Sequence, residues 1–140
     1  MIPKGMIKVV IDTNVLVSGI MTKRGAKADV LDLVSAGRRL WCVSEPIVEE
    51  YLGVLARPRF RSLDAGRVQH VIACIELAEL VVPTMTLAVS RDGPDNRFLE
   101  CAEVAGAEYL VTGNARDFPA EWKGTRVLGA RKLLAVLQEK

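Results

Sequence analysis

Four acids spread along the 140-residue chain sit where a fold can gather them: Asp12, Glu50, Asp95 and Asp117. Carboxylates brought that close repel one another, and at least one would be protonated at neutral pH unless a cation neutralised them. Hard oxygen ligands with no histidine or cysteine beside them suit Mg²⁺ or Mn²⁺. One or two such ions turn water into a nucleophile and stabilise charge developing on a phosphate oxygen. That chemistry needs several carboxylates and little else. Other chemistries find less support. No GxGxxG follows the first apolar run and no GxxxxGK[ST] occurs. His70 is the single histidine, within a predicted helix, and no Ser/His/Asp set can be built around it.

The elements that must position these acids are readable from apolar periodicity. Ile7–Ile11 (IKVVI) is short, β-branched and almost continuously apolar, as suits a parallel strand covered on both faces. Asp12-Thr13-Asn14 follows and can cap a helix over Val15–Met21. Ala26–Ala36 has a helical period ended by Gly37, and Leu40–Val43 reads as a second strand. Ser44-Glu45-Pro46 opens a helix, with Ser as cap and Pro in the first turn, running to about Ala56 before Pro58. Asp64 caps a helix through Leu77, and Leu80–Val82 reads as a third strand. The turn Asp92-Gly93-Pro94-Asp95 leads into a helix over Asn96–Ala105, closed by Gly106. Tyr109–Thr112 is a fourth strand, 113–119 a loop, Arg126–Leu128 a weak fifth strand, and Ala130–Lys140 a helix with Leu133, Leu134 and Leu137 on one face.

This alternation predicts an α/β fold of three layers, α/β/α, around a central, mostly parallel sheet of about five strands, in one domain. Such sheets build their sites outside the carboxyl ends of the strands. Asp12 directly follows the first strand and Asp117 lies in the loop after the fourth. Asp95 opens a helix after the third. Glu50 shares a helix face with Ile47 and Val54. If the first and fourth strands are neighbours, their loops converge, and a flanking helix lends Glu50.

Each acid also has a plainer reading. Asp12 and Asp95 can be helix caps, Asp117 a turn residue and Glu50 an exposed helix acid, with Glu49 beside it equally good by composition. Four plain readings at once explain less, because these acids recur where an α/β fold places its site.

Half the residues are hydrophobic and 26% are charged. That is the balance of an ordinary globular domain. Cys42, Cys74 and Cys101 form no CxxC pair and are odd in number. This argues against a disulfide framework or zinc site and for a reducing cytoplasm. Charges at Lys8 and Asp12 cut the apolar start well short of the roughly 20 residues of a membrane span, and no signal-peptide cleavage pattern is seen. The formal net charge is +2; with four acids set aside in one site, the remainder is at about +6. Arginines cluster at Arg57, Arg59 and Arg61 and at Arg38-Arg39, and guanidinium groups suit phosphate backbones. A solvated basic surface is the other reading of these runs. Trp41 and Trp122 read as packing residues rather than base-stacking platforms, although one of them with an exposed ring could serve single strands.

VIDTNVLVSG (Val10–Gly19), SEPIVEEYLGVLARPRF (Ser44–Phe60) and DGPDNRFLECAEVAGAEYLVTGNARDF (Asp92–Phe118) resemble, in order and spacing, the successive motifs of the PIN-domain family. The resemblance covers nearly the whole chain. It implies a central parallel sheet and a Mg²⁺/Mn²⁺-dependent endoribonuclease. By its register Glu50, not Glu49, is the functional acid. Asp12, Glu50 and Asp95 would be metal ligands and Asp117 the fourth acid, with Asn14, Thr112 and Asn96 in support. Two positions depart from the family pattern. Many relatives have Asp where this chain has Asn114, so the fourth acid falls to Asp117. Others have an acid where Pro94 stands, which Asp92 can partly replace. In look the chain is most similar to the VapC-like toxins of bacterial and archaeal toxin–antitoxin pairs. That likeness implies an RNA substrate, an antitoxin partner and a homodimer. Two rivals remain: a phosphohydrolase with Asp12 as nucleophile, which would want an Asp where Asn14 stands, and a PIN-like module that binds RNA or protein without cutting.

Overall fold

The computed structural model describes residues 6–90 and 93–138. Asp92 lies outside the described residues. Among the described residues six strands form one sheet in the order β3-β2-β1-β4-β6-β5. They are β1 (Lys8–Ile11), β2 (Leu40–Val43), β3 (Glu79–Leu80), β4 (Tyr109–Val111), β5 (Glu121–Trp122) and β6 (Thr125–Leu128). All pairings are parallel except β5 with β6. β1 pairs with β2 on one side and β4 on the other, with Val9 opposite both Trp41 and Tyr109. Apart from Lys8 and the half-buried Leu40, every residue of these three central strands is apolar or aromatic and buried. Parallel strands covered on both faces require this.

Among the described residues six α-helices surround the sheet: α1 (Thr13–Met21), α2 (Ala26–Ser35), α3 (Glu45–Leu55), α4 (Ala65–Leu77), α5 (Gly93–Ala105) and α6 (Ala130–Gln138). α5 lies across β1, β2 and β4; α6 packs on β4 and α2. Leu133 and Leu137 of α6 are buried and Leu134 half-buried, as their spacing requires. Asp64 caps α4 as expected from its side-chain oxygen. It accepts from the backbone N–H groups of Gly66 at 2.8 Å and Arg67 at 3.2 Å. Ser44 occupies the N-cap of α3 by its backbone, but its buried hydroxyl makes no capping bond.

Three expectations shift. The third strand is Glu79–Leu80 rather than Leu80–Val82: Val81 still donates to the Val43 carbonyl, after which the chain runs on without ladder bonds. α5 begins at Gly93, three residues early, because Pro94 suits a first helical turn. The sheet has six strands rather than about five. The added β5 turns back on β6 through Lys123 and Gly124, whose φ values are 51° and 87°. Both have the sign that a two-residue primed hairpin turn demands. Lys-Gly between Trp122 and Thr125 was the available signal. Among the described residues no helix is long and apolar enough to cross a membrane.

Candidate active site

The chain leaves β1 for β2 on one side of the sheet, while β4 lies on the other. The crevice at that reversal is where an open α/β sheet binds its ligand. Asp12 stands there, one residue past β1, and Thr112 one residue past β4. The Thr112 hydroxyl donates to Asp12 Oδ2 at 2.6 Å, and the Asp12 amide donates to the Val111 carbonyl at 2.9 Å. Asp12 is the positional N-cap of α1, yet its carboxylate makes no capping bond. The side chain, only 6% exposed, therefore faces the crevice rather than serving the helix end.

A cleft of about 440 Å³ opens at this point. Asp12, Asn14, Glu50 and Asp95 line it, with Arg57 and Arg59 on its wall. Glu50 accepts a hydrogen bond from the Thr13 hydroxyl, while Glu49 is exposed and outside the cleft. Glu50's helix is pinned by its neighbour: the buried Tyr51 hydroxyl donates to the carbonyl of Ile11, the last residue of β1. Burial pushes the Tyr51 hydroxyl well above its ordinary pKa, so it stays a neutral donor. Its ring packs against Trp41 and Phe98, at 5.8 and 6.4 Å between centroids, tying α3 to β2 and α5. Asn14 Oδ1 accepts from the Gly113 amide at 3.1 Å, joining the start of α1 to the loop after β4. Asn96 uses both ends of its amide on the backbone of Ser90, at 2.7 and 3.0 Å, fixing the first turn of α5 and with it Asp95.

Three of the four predicted acids thus share one cleft. Asp117 does not line it: it sits exposed in the short 3₁₀ turn Ala115–Asp117, where its backbone carbonyl accepts from the Ser90 hydroxyl at 2.8 Å. Among the described residues no three acidic, histidine or cysteine side chains are drawn together into a finished metal cage. Hydroxyl donors hold Asp12 and Glu50 instead. The anionic groups lining the cleft are all carboxylates, joined by the hydroxyls of Thr13 and Ser18 and the amide of Asn14; no cysteine or histidine lines it, and its one sulfur is the thioether of Met21. Such a set fits a hard divalent ion.

A family model of the PIN domain matches residues 8–116. The chain belongs to the PIN domain family. PIN domains are generally nucleases. An uncharacterized protein of Methanocaldococcus jannaschii is 28% identical over 111 residues, covering 77% of this chain and 71% of its own length. The crystal structure of PAE2754 from Pyrobaculum aerophilum superposes with a TM-score of 0.62 at 18% identity, over 98% of this chain and 94% of that one. This likeness shows the PIN-like fold.

Within this PIN domain the arginine clusters part company. Arg57 and Arg59 line the cleft, and Arg59 stacks over the Phe60 ring at 4.8 Å. Arg38 and Arg39 lie in the turn entering β2, at the amino edge of the parallel sheet and away from the site. Trp41 is buried, and Trp122 Nε1 donates to Glu103 at 2.9 Å, so both rings serve packing. His70 is exposed on α4. Thr13, Tyr51 and Ser90 were missed by sequence reasoning. Their roles rest on long-range pairings, and only the adjacency of Thr13 to Asp12 and of Tyr51 to Glu50 hinted at them.

Proposed function

We propose that this PIN domain is a Mg²⁺/Mn²⁺-dependent endoribonuclease that hydrolyses RNA phosphodiester bonds. The observation that carries the reading is the meeting of Asp12, Glu50 and Asp95 in one cleft at the β1/β4 crevice, with Arg57 and Arg59 on its wall. Asp12, Glu50 and Asp95 would hold the divalent ion. When bound, that ion supplies Lewis acidity at a phosphate oxygen and makes water nucleophilic at neutral pH. The chain's own contribution is placement. Thr112 and Thr13 fix the carboxylates of Asp12 and Glu50, and Asn14 ties the two loops of the crevice together. Arg57 and Arg59 hold the RNA backbone. Asp117 is exposed and outside the cleft, so three acids are left to hold the ion.

The departure of Asp117 from the acid cleft, with Asn114 and Pro94 at positions acidic in other PIN domains, favours a second reading: a module that binds RNA or protein without cutting. Calorimetry of Mn²⁺ binding to the wild type and Asp12→Asn, with single-stranded RNA cleavage on the same samples, separates the two. Binding and cleavage both lost in the mutant support the nuclease. Binding without cleavage supports the second reading, and no binding by the wild type defeats the acidic-site assignment.

The resemblance to VapC-like toxins supports a cytoplasmic toxin role, with a small antitoxin covering the cleft and a homodimer as the working form. Growth arrest on induction that is abolished by Asp12→Asn, and a dimer mass by light scattering, are the expected results; an unaffected culture or a monomer contradicts the respective part.

A further inference from the structure

A second cavity, of about 710 Å³, adjoins the acid cleft. Ser18 lines both, and Thr112, whose hydroxyl holds Asp12, lines the cavity. Its charge is opposite to that of the cleft. Arg24, Lys27, Arg131 and Lys132 line it, and no carboxylate does. None of the four makes an ion pair among the described residues. Two helix starts add to this field. α2 follows Gly25 with no side-chain cap, and α6 follows Gly129; the first intrahelical bonds run from Asp29 to Gly25 and from Leu133 to Gly129. The amides of both first turns therefore lack helical partners, and both positive dipole ends lie beside the cavity.

Four cations around one concavity repel each other, and no acid among the residues lining it neutralises them. An anion carrying several charges is the ligand that such a surface favours. The neighbouring cleft narrows the choice. Three carboxylates repel a phosphodiester, so a strand whose reacting phosphate enters the cleft must be held by cations acting on its flanking phosphates. Arg57 and Arg59 do this from the cleft wall. On the nuclease reading above, we infer that the Arg24/Lys27/Arg131/Lys132 cavity is a phosphate-backbone subsite for single-stranded RNA, holding nucleotides next to the scissile bond. Its volume falls within the roughly 300–1,000 Å³ usual for a bound ligand and admits more than one phosphate.

The test measures binding apart from chemistry. Anisotropy of a fluorescent single-stranded RNA is titrated with wild type, with Lys27→Gln/Arg131→Gln/Lys132→Gln and with Arg57→Gln/Arg59→Gln, in EDTA and across a salt series. Far-UV circular dichroism checks folding, and Arg24→Gln alone serves as a milder second variant. Each single-strand phosphate left without its cation lowers the slope of log K against log salt by about 0.7. The triple variant should therefore reduce that slope by about 2, and Arg24→Gln by about 0.7. A triple variant with unchanged slope and affinity, alongside weakened binding by the Arg57/Arg59 pair, overturns the subsite and leaves the nuclease reading standing. A wild type that binds RNA through the cavity residues yet cleaves nothing when Mn²⁺ is added keeps the cavity as an RNA-backbone site, removes its place beside a scissile bond and defeats the nuclease. A wild type that ignores RNA but binds polyglutamate, with loss in the triple variant, overturns both in favour of an acidic protein segment.

Discussion

Asp12 holds three assignments at once: the end of a strand, the head of a helix and the wall of a cleft. Its hydrogen bond from Thr112 decides among them, because a carboxylate spent on a cap would have accepted from α1's own amides. Asparagine keeps the oxygen that accepts from Thr112 and removes the charge. Asp12→Asn should therefore abolish Mn²⁺ binding and lower RNA cleavage by roughly 10²-fold or more, several kcal/mol of lost transition-state stabilisation. In EDTA the same variant should melt higher by roughly 2–5 °C, since Asp12 no longer repels Glu50 and Asp95; a lower melting temperature would mean that the charge itself holds the crevice together. Tyr51 acts at one remove. Tyr51→Phe strips the buried Ile11 carbonyl of a donor and should cost about 1–3 kcal/mol in urea unfolding. Because it also frees α3 to shift, Mn²⁺ affinity should fall about tenfold, the scale of a missing supporting hydrogen bond. Unchanged affinity with the stability loss would make Tyr51 a packing residue only.

Helices α1 and α2 approach closely at Gly19. A Cβ there would stand 2.6 Å from Leu31 Cδ1 and 2.9 Å from the Lys27 carbonyl oxygen. Backbone cannot yield as a side chain can, so Gly19→Ala should destabilise by about 1–3 kcal/mol despite alanine's better helix propensity. A thermal melt equal to or above wild type would show that the two helices can part freely. Arg67 on α4 secures the same corner where α1 ends. It donates to the carbonyls of Gly19 at 2.8 Å and Ile20 at 3.3 Å, and a basic side chain is well suited to the last carbonyls of a helix. At this scale the sequence was informative where one residue type dictates local geometry. The apolar runs of β1, β2 and β4, the Asp64 cap and the apolar face of α6 all stand where the pattern put them. It was uninformative where partners are distant. The two-residue strands β3 and β5 carry no periodicity of their own and exist only because β2 and β6 present free edges. Glu50 was separable from Glu49 only by family register; the structure separates them by which face of α3 meets the cleft. Asp117 sits five residues beyond Thr112, a spacing that tells nothing of how the 3₁₀ turn folds away.

The whole molecule sets acids in one cleft and cations in the next at the carboxyl edge of the sheet, around an interior that is apolar but for a few buried polar groups such as Glu100, which pairs with Arg97 at 2.9 Å. Two of the three thiols belong to that interior. Cys42 and Cys101 are buried, whereas Cys74 is half-buried on α4. Burial raises both interior thiols, Cys101 to about 12 from an ordinary 9.0 and Cys42 further, with Glu79 adding to the rise at each. Low-dielectric surroundings disfavour the charged thiolate. In the unfolded chain these groups ionise near 9; in the folded protein they keep their protons. Below pH 9 both states are protonated and the thiols leave stability independent of pH. Between pH 9 and about 12 the unfolded state holds fewer protons than the native one, so the free energy of unfolding falls as pH rises. Urea midpoints should therefore be flat with respect to these groups at neutral pH and decline above about pH 9. Replacing Cys101 by Ala should make that decline shallower at the cost of a lower plateau. At neutral pH iodoacetamide should label the native protein at Cys74 alone, with Cys42 and Cys101 labelled only in urea, because the thiolate is the reactive form and neither interior thiol can supply it. Rapid native labelling at Cys101 would mean that α5 opens from the sheet far more often than its burial against β1, β2 and β4 implies, and Asp95, carried on the same helix, would then be a mobile member of the acid cleft.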